Sequence, residues 1–359
     1  MRRSPTVPMQ RIHGERCGKE DKREGSHTML NAHIPTSGER AAMWANNVSF
    51  CPETFDRLTP TAVSQLLANQ VFSANSDFAE LLRVRYEKMS NNFRNVPHSD
   101  AGWEQCFSGE TCQTVACHCK PDARLAVPTR CILSSDSRIT RLFNEPNFGL
   151  DLPVWFCRRD AGENMPRVMF VAQDPLRTDP RNKYLYISSP WAFHSRDFRE
   201  KEKNSIPSLL VDCLLSQGCC LYLTDAAKIF AKDHDYANRY IQPEFVQEYN
   251  NVLREEISQF NPDVIVAVGE PASRMVLQLG GLPEIRDWNQ TVLPRPRVND
   301  ITLGNGNISC VSVSHFSGIT RHLEQLRDAY EFGNMDGNQK YVVYYVEAIN
   351  SALHRNNID

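Results

Sequence analysis

Three short apolar runs in this sequence each end in side chains able to do acid–base or hydrogen-bond chemistry. Arg167-Val168-Met169-Phe170-Val171-Ala172 runs into Gln173-Asp174-Pro175, Cys220-Leu221-Tyr222-Leu223-Thr224 into Asp225, and Ile308 to Val313 into Ser314-His315-Phe316-Ser317. An amide, two carboxylates and an imidazole brought to one place would supply a general acid or base, a stabiliser of developing charge and groups that read a ligand. Each also has a plainer reading as a strand cap or a satisfied core residue. What separates the two readings is whether the fold gathers them.

The elements that must do the gathering are legible. Val168 to Ala172 has no polar alternation, which marks a strand buried on both faces, and Pro175 cannot continue a sheet. Val264-Ile265-Val266-Ala267-Val268-Gly269, introduced by Pro262-Asp263, reads the same way. Between the runs lie helical patterns: Pro207 to Gln217 with Gly218 to end it, Gln242 to Phe260, Glu270 to Leu279, Thr320 to about Phe332, and a last helix over Tyr341 to Leu353. Strand and helix alternate four times, which predicts a mostly parallel four-stranded sheet with helices on both faces. Such a sheet collects its ligand-binding residues outside the carboxyl ends of its strands. No Gly-x-Gly-x-x-Gly and no Gly-x-x-x-x-Gly-Lys-Ser/Thr motif is present, which disfavours a dinucleotide enzyme or a P-loop nucleotidase.

The 359 residues, 41% hydrophobic and 23% charged, suit a soluble globular protein, and no run reaches the length of a membrane span. A formal net charge of -3 confines any nucleic-acid contact to a local patch. Twelve cysteines and no secretory h-region predict an intracellular, reducing location, cytoplasmic or nucleoid/nuclear, with thiols or metal ligands rather than a disulfide framework. Residues 1–45 read as an unstructured tail, since charged and small residues dominate without apolar periodicity. Residues 46–147 read as a helical, cysteine-containing region, with helices from Thr59 and over Asp77 to Phe93. Within it Cys106, Cys112, Cys117 and Cys119 could hold zinc or an iron–sulfur cluster, or could be free thiols in an irregular segment. Residues 148–333 are the α/β domain, and 334–359 carry the C-terminal helix. A long aromatic connection follows the first strand, with Tyr184, Tyr186, Trp191 and Phe193 serving either a ligand or the core.

In order and spacing these motifs resemble those of the uracil-DNA glycosylase superfamily. Ala172-Gln173-Asp174-Pro175-Leu176 resembles that family's Gly-Gln-Asp-Pro-Tyr, and His315-Phe316-Ser317-Gly318-Ile319-Thr320 its His-Pro-Ser-Pro-Leu-Ser. Between them Phe193 resembles the Phe that stacks on the base, and Tyr222-Leu223-Thr224-Asp225 the strand that ends in a base-reading Asn. The resemblance implies a three-layer α/β/α fold and hydrolysis of the N-glycosidic bond of uracil, or of a modified pyrimidine, flipped out of DNA. Asp174 would stabilise the developing sugar cation and orient water, and His315 would donate to the base anion. Gln173, Phe193 and Asp225 would bind the base. Ser317 would hold phosphate, and Ile319 would fill the vacated stack as a wedge. No cofactor is required for that reaction, and no lysine suggests a lyase, although Lys228 lies close to Asp225.

Two departures bear on the substrate. Leu176 stands where some members have a Tyr that excludes the thymine methyl, and Asp225 stands where Asn is usual. An Asn amide both accepts and donates, whereas an ionised Asp only accepts and a protonated one could serve either base. The alternative is therefore a member of the same fold that binds nucleic acid or a nucleotide with its reaction lost or redirected.

Overall fold

The computed structural model describes residues 29–50, 125–128, 149–160, 165–173, 184–193, 196–230, 246–303, 306–330, 332, 335 and 337–355. The strands are β1 (Val48–Phe50), β2 (Leu125–Pro128), β3 (Gly149–Asp151), β4 (Val154–Arg158), β5 (Arg167–Ala172), β6 (Tyr184–Ser188), β7 (Cys220–Asp225), β8 (Ile229–Phe230), β9 (Val264–Val268), β10 (Arg297–Leu303) and β11 (Gly306–Val313). The helices are α1 (Ser37–Ala42), α2 (Arg196–Lys201), α3 (Ile206–Ser216), α4 (Val246–Phe260), α5 (Glu270–Leu279), α6 (Trp288–Val292), α7 (Phe316–Ile319), α8 (Leu323–Arg327) and α9 (Gln339–Arg355).

The main sheet has the order β1-β4-β7-β5-β9-β11-β10. Its centre, β7-β5-β9-β11, is the expected parallel set. The expectation of a four-stranded sheet is corrected to seven mixed strands, because β4 and then β1 add antiparallel on one side and β10 on the other. A four-stranded sheet, β2-β6-β3-β8, is separate from it. The central strands are apolar throughout because they are covered on both faces: Val168 to Val171 and Val264 to Val268 are at most 1% exposed.

The chain steps from β5 to β7 in one direction, then crosses to β9 and β11 in the other. Right-handed crossovers therefore put α3 on one face and α4 with α5 on the opposite one. α9 joins α3, and α4 and α5 contact each other. The direction reverses between β5 and β9, the topological switch point at whose carboxyl edge open α/β sheets bind their ligands.

Residues 1–28 of the expected tail lie outside the described residues, and the rest of it is ordered against the fold. Residues 29–50 pack onto the domain, with α1 started by a capping box between Thr36 and Glu39. The buried Asn350 amide of α9 pairs both backbone groups of Leu30, at 2.9 and 2.7 Å. The described parts of 46–147 include strands β1 and β2, and the helices expected from Thr59 and over Asp77 to Phe93 lie outside the described residues. The helix expected over Thr320 to Phe332 is broken into short turns at His322, whose φ of -116° and ψ of 22° are not helical. Cys157 and Cys220 face each other across adjacent antiparallel strands with Cα atoms 4.4 Å apart, and Cys213, Cys219 and Cys310 are buried free thiols.

Candidate active site

The ends of the four parallel strands lie level. Ala172 of β5 pairs with Asp225 of β7, Val171 with Ala267 of β9, and Val268 with Val313 of β11. Pairing continues past the strands: Ala226 and Ala227 donate to the carbonyls of Ala172 and Gln173 at 2.8 and 2.9 Å, and Gly269 donates to Val313 at 2.9 Å. Gln173, Asp225 and His315 thus leave one edge in neighbouring rows, spread over three strand spacings, about 14 Å at the backbone. Asp174 follows Gln173 in sequence but lies outside the described residues, as do Leu176 and Cys106, Cys112, Cys117 and Cys119.

His315 is the best-defined member. It N-caps α7: its Nδ1 accepts from the backbone N–H of Ser317 at 3.2 Å and sits 2.8 Å from the Ser317 hydroxyl. A nitrogen that accepts a backbone N–H carries no proton, which assigns the neutral tautomer with hydrogen on Nε2. Part of the residue reaches solvent, yet desolvation by the surrounding protein lowers its pKa from the ordinary 6.5, favouring the same neutral form. Protonating Nδ1 would also break the cap. The ring lies against Gly269, where an added Cβ would stand 3.5 Å from His315 Cβ, and whose φ of +89° suits glycine.

The residue before it is clamped. The Ser314 N–H donates to the Tyr344 hydroxyl at 3.0 Å, and the Tyr345 hydroxyl donates to the Ser314 carbonyl at 2.9 Å. Tyr344 in turn donates to Val292 O at 3.0 Å. Both rings are fully buried on α9, so the imidazole stands on a backbone fixed from behind. Nothing in the motif pattern pointed to these tyrosines. Their signal is the apolar face of the last helix, which marks it as core.

Asp225 is also held from behind. Its carbonyl accepts from Lys228 Nζ at 2.7 Å, and the same ammonium donates to Thr224 Oγ1 and Glu256 Oε2, both at 2.6 Å. Glu256 further accepts from the hydroxyls of Tyr222 at 3.1 Å and Thr224 at 2.9 Å. With its three donor positions engaged inside the core, Lys228 is structural and not poised as a nucleophile. The Asp225 side chain is buried, 3% exposed for the residue.

Two expected positions lie elsewhere. Phe193 is 1% exposed, edge-to-face with Phe156 at 6.4 Å and Trp191 at 6.2 Å, so its ring offers no open face to a base at the strand ends in this arrangement. Ile319 is fully buried, so it does not project as a wedge, whereas Ser317 is exposed beside His315. The half-buried aromatic between Phe193 and the His315 loop is Trp191, 5.3 Å from Phe316. Trp191 and Ala192 have φ of 50° and 52°, a left-handed backbone that costs an L-residue about 1–2 kcal/mol each.

An open α/β sheet with polar residues leaving its carboxyl edge at a switch point belongs to the ligand-binding α/β domains. Residues 160–332 match the family described as the uracil DNA glycosylase superfamily. β1, β4 and α9 fall outside the matched segment. No curated protein matches the chain. Among the described residues no three His, Cys, Asp or Glu side chains group as metal ligands, and no helix is long and apolar enough to cross a membrane.

Proposed function

We propose that this domain is a monofunctional DNA glycosylase-like hydrolase, which removes uracil or a modified pyrimidine flipped out of DNA, inside the cell. The observation that carries the reading is His315: a neutral imidazole on a fixed loop, with the unprotonated Nδ1 tied into a cap and the Nε2–H left as the donor. Breaking the N-glycosidic bond places negative charge on the leaving base and positive charge on the sugar. A preorganised donor at the base oxygen stabilises the first, and Asp174, next after Gln173 in the chain, would stabilise the second and hold the attacking water. The buried Lys228 favours hydrolysis by water over lyase chemistry.

The test is a single strand containing one uracil, incubated with the full chain and then cleaved by alkali at abasic sites. Cleavage that disappears in Asp174→Asn is the expected result. The Asp225 carboxyl, standing where an amide is usual, favours a second reading, in which the domain binds nucleic acid without cutting. Salt-dependent binding of the strand with no abasic product in the wild type would select it.

A further inference from the structure

A cavity of about 190 Å³ lies apart from the strand-end residues, between α1, α2 and the first turns of α3. Its charged lining is uneven. Arg40, Arg196, Arg199 and Lys203 face two carboxylates, Glu200 and Asp212. Asp212 is already engaged, accepting from Trp44 Nε1 at 2.6 Å and paired with Arg40 at 3.4 Å. Glu200 is exposed at the rim, as are Arg196 and Lys203. Arg40, with a side chain 9% exposed, spends Nη1 on the Lys203 carbonyl and Asp212 and Nη2 on Ser37, while its Nε has no hydrogen-bond partner. A buried guanidinium N–H without an acceptor is costly, and the lining as a whole has more positive than negative charge.

We propose that this cavity binds a phosphate group, free or as a phosphomonoester. The volume suits a group of that size with part of what it is attached to. Arg40 and Arg199 would give charge-assisted hydrogen bonds from within, and Arg196 and Lys203 would close the mouth. Arg199 is pre-shaped for this: its guanidinium lies 4.5 Å above the Trp44 ring and donates to the Phe193 carbonyl, which fixes its plane. Desolvation lowers its pKa to about 10, against the pull of Asp212 and Glu200. Ser208, near the start of α3, adds a hydroxyl to the lining. Phe193 links the regions: it lines this cavity and touches Trp191, which reaches Phe316 beside His315.

Calorimetric titration of the full chain with inorganic phosphate tests this. Saturable binding is expected, weakened about tenfold or more in Arg199→Gln, the loss of one charge-assisted hydrogen bond. Should Arg199→Gln fail to fold, the exposed pair Arg196→Glu/Lys203→Glu gives the same reading without disturbing the core. An oligonucleotide with a 5′-phosphate that displaces the inorganic ion, where its unphosphorylated twin does not, identifies a DNA end as the source. Displacement by neither identifies a free anion. Absence of saturable binding, or binding unchanged in a folded variant, overturns the proposal. Asp174→Asn should bind phosphate like the wild type, so failure here and failure of the glycosylase reading are separable.

Discussion

His315 carries two jobs on two nitrogens, and substitution can separate them. Nδ1 accepts the Ser317 N–H and starts α7, and Nε2 is the donor assigned to the leaving base. Asparagine is among the best N-caps, so His315→Asn keeps the first job, while its shorter side chain withdraws the donor from the position Nε2 occupies. Alanine removes both. Loss of a cap costs about 1 kcal/mol of stability, and loss of a preorganised donor costs about 3–4 kcal/mol of transition-state stabilisation, or about 10²–10³-fold in rate. The expected pattern is a wild-type melting midpoint with a 10²–10³-fold slower single turnover in His315→Asn, and a lower midpoint with the same slow rate in His315→Ala. The pH dependence follows from the lowered pKa. Between that value and the unfolded 6.5, the unfolded chain binds the extra proton and the folded one does not. Stability from this residue is therefore full above pH 6.5 and falls as the pH drops through the folded pKa, and the Asn variant lacks that fall. Uracil excision by His315→Asn at the wild-type rate would refute the donor assignment.

Three further outcomes follow from the same geometry. Asp225→Asn restores an amide that can both donate and accept, so single-turnover excision of uracil should rise over the wild type; an unchanged rate removes this residue from the pocket. Lys228→Met leaves Glu256 charged and unpaired inside the core and should cost about 3–5 kcal/mol in denaturant unfolding, whereas Lys228→Met/Glu256→Leu should recover most of it; equal losses in both would contradict the buried pair. Tyr345→Phe deletes the hydroxyl that holds the Ser314 carbonyl and should cost about 1 kcal/mol of stability and lower kcat with KM unchanged, since it loosens the donor and not the substrate contacts; a change in KM alone would place Tyr345 elsewhere in the mechanism.

The central strands were legible because burial on both faces leaves no polar residues in them, and Val168 to Val171 and Val264 to Val268 are such runs. β10 was not, because an edge strand has one face and one side in solvent: Arg297, Asn299 and Thr302 break its pattern, and Ile301 alone is buried. The segment 29–50 hid for a different reason. It is held by the Asn350 amide, by Gln217 against Asn31 and by Arg40 on Asp212, contacts that leave no periodicity in the sequence. Motif position suggested a wedge at Ile319, but Phe316 and Ile319 are i and i+3 on a single helical turn, and both face inward. That spacing was readable and argued for the core. Likewise the sequence of the aromatic connection suits a ligand and the core equally. The structure divides it, with Phe193 in the core and Trp191 half-exposed on a strained backbone at the edge of the site.

The fixed groups at this edge come largely from parts of the fold that the strand-end motifs do not include. α9 supplies both hydroxyls that hold Ser314, and the α4 glutamate anchors Lys228 beneath Asp225. Catalysis by a preorganised dipole depends on the donor not having to reorganise when charge appears, so the rigidity of the support matters as much as the identity of the donor. A hydroxyl bonded to a backbone carbonyl inside the core meets that need better than a second imidazole contact would. It leaves Nε2 uncommitted while removing the freedom of the residue that bears it. The same logic accounts for glycine at position 269. An added Cβ there would only touch His315 at ordinary van der Waals distance, so it is the backbone that calls for glycine: at a φ of +89° a side chain would strain the turn that lies against the imidazole.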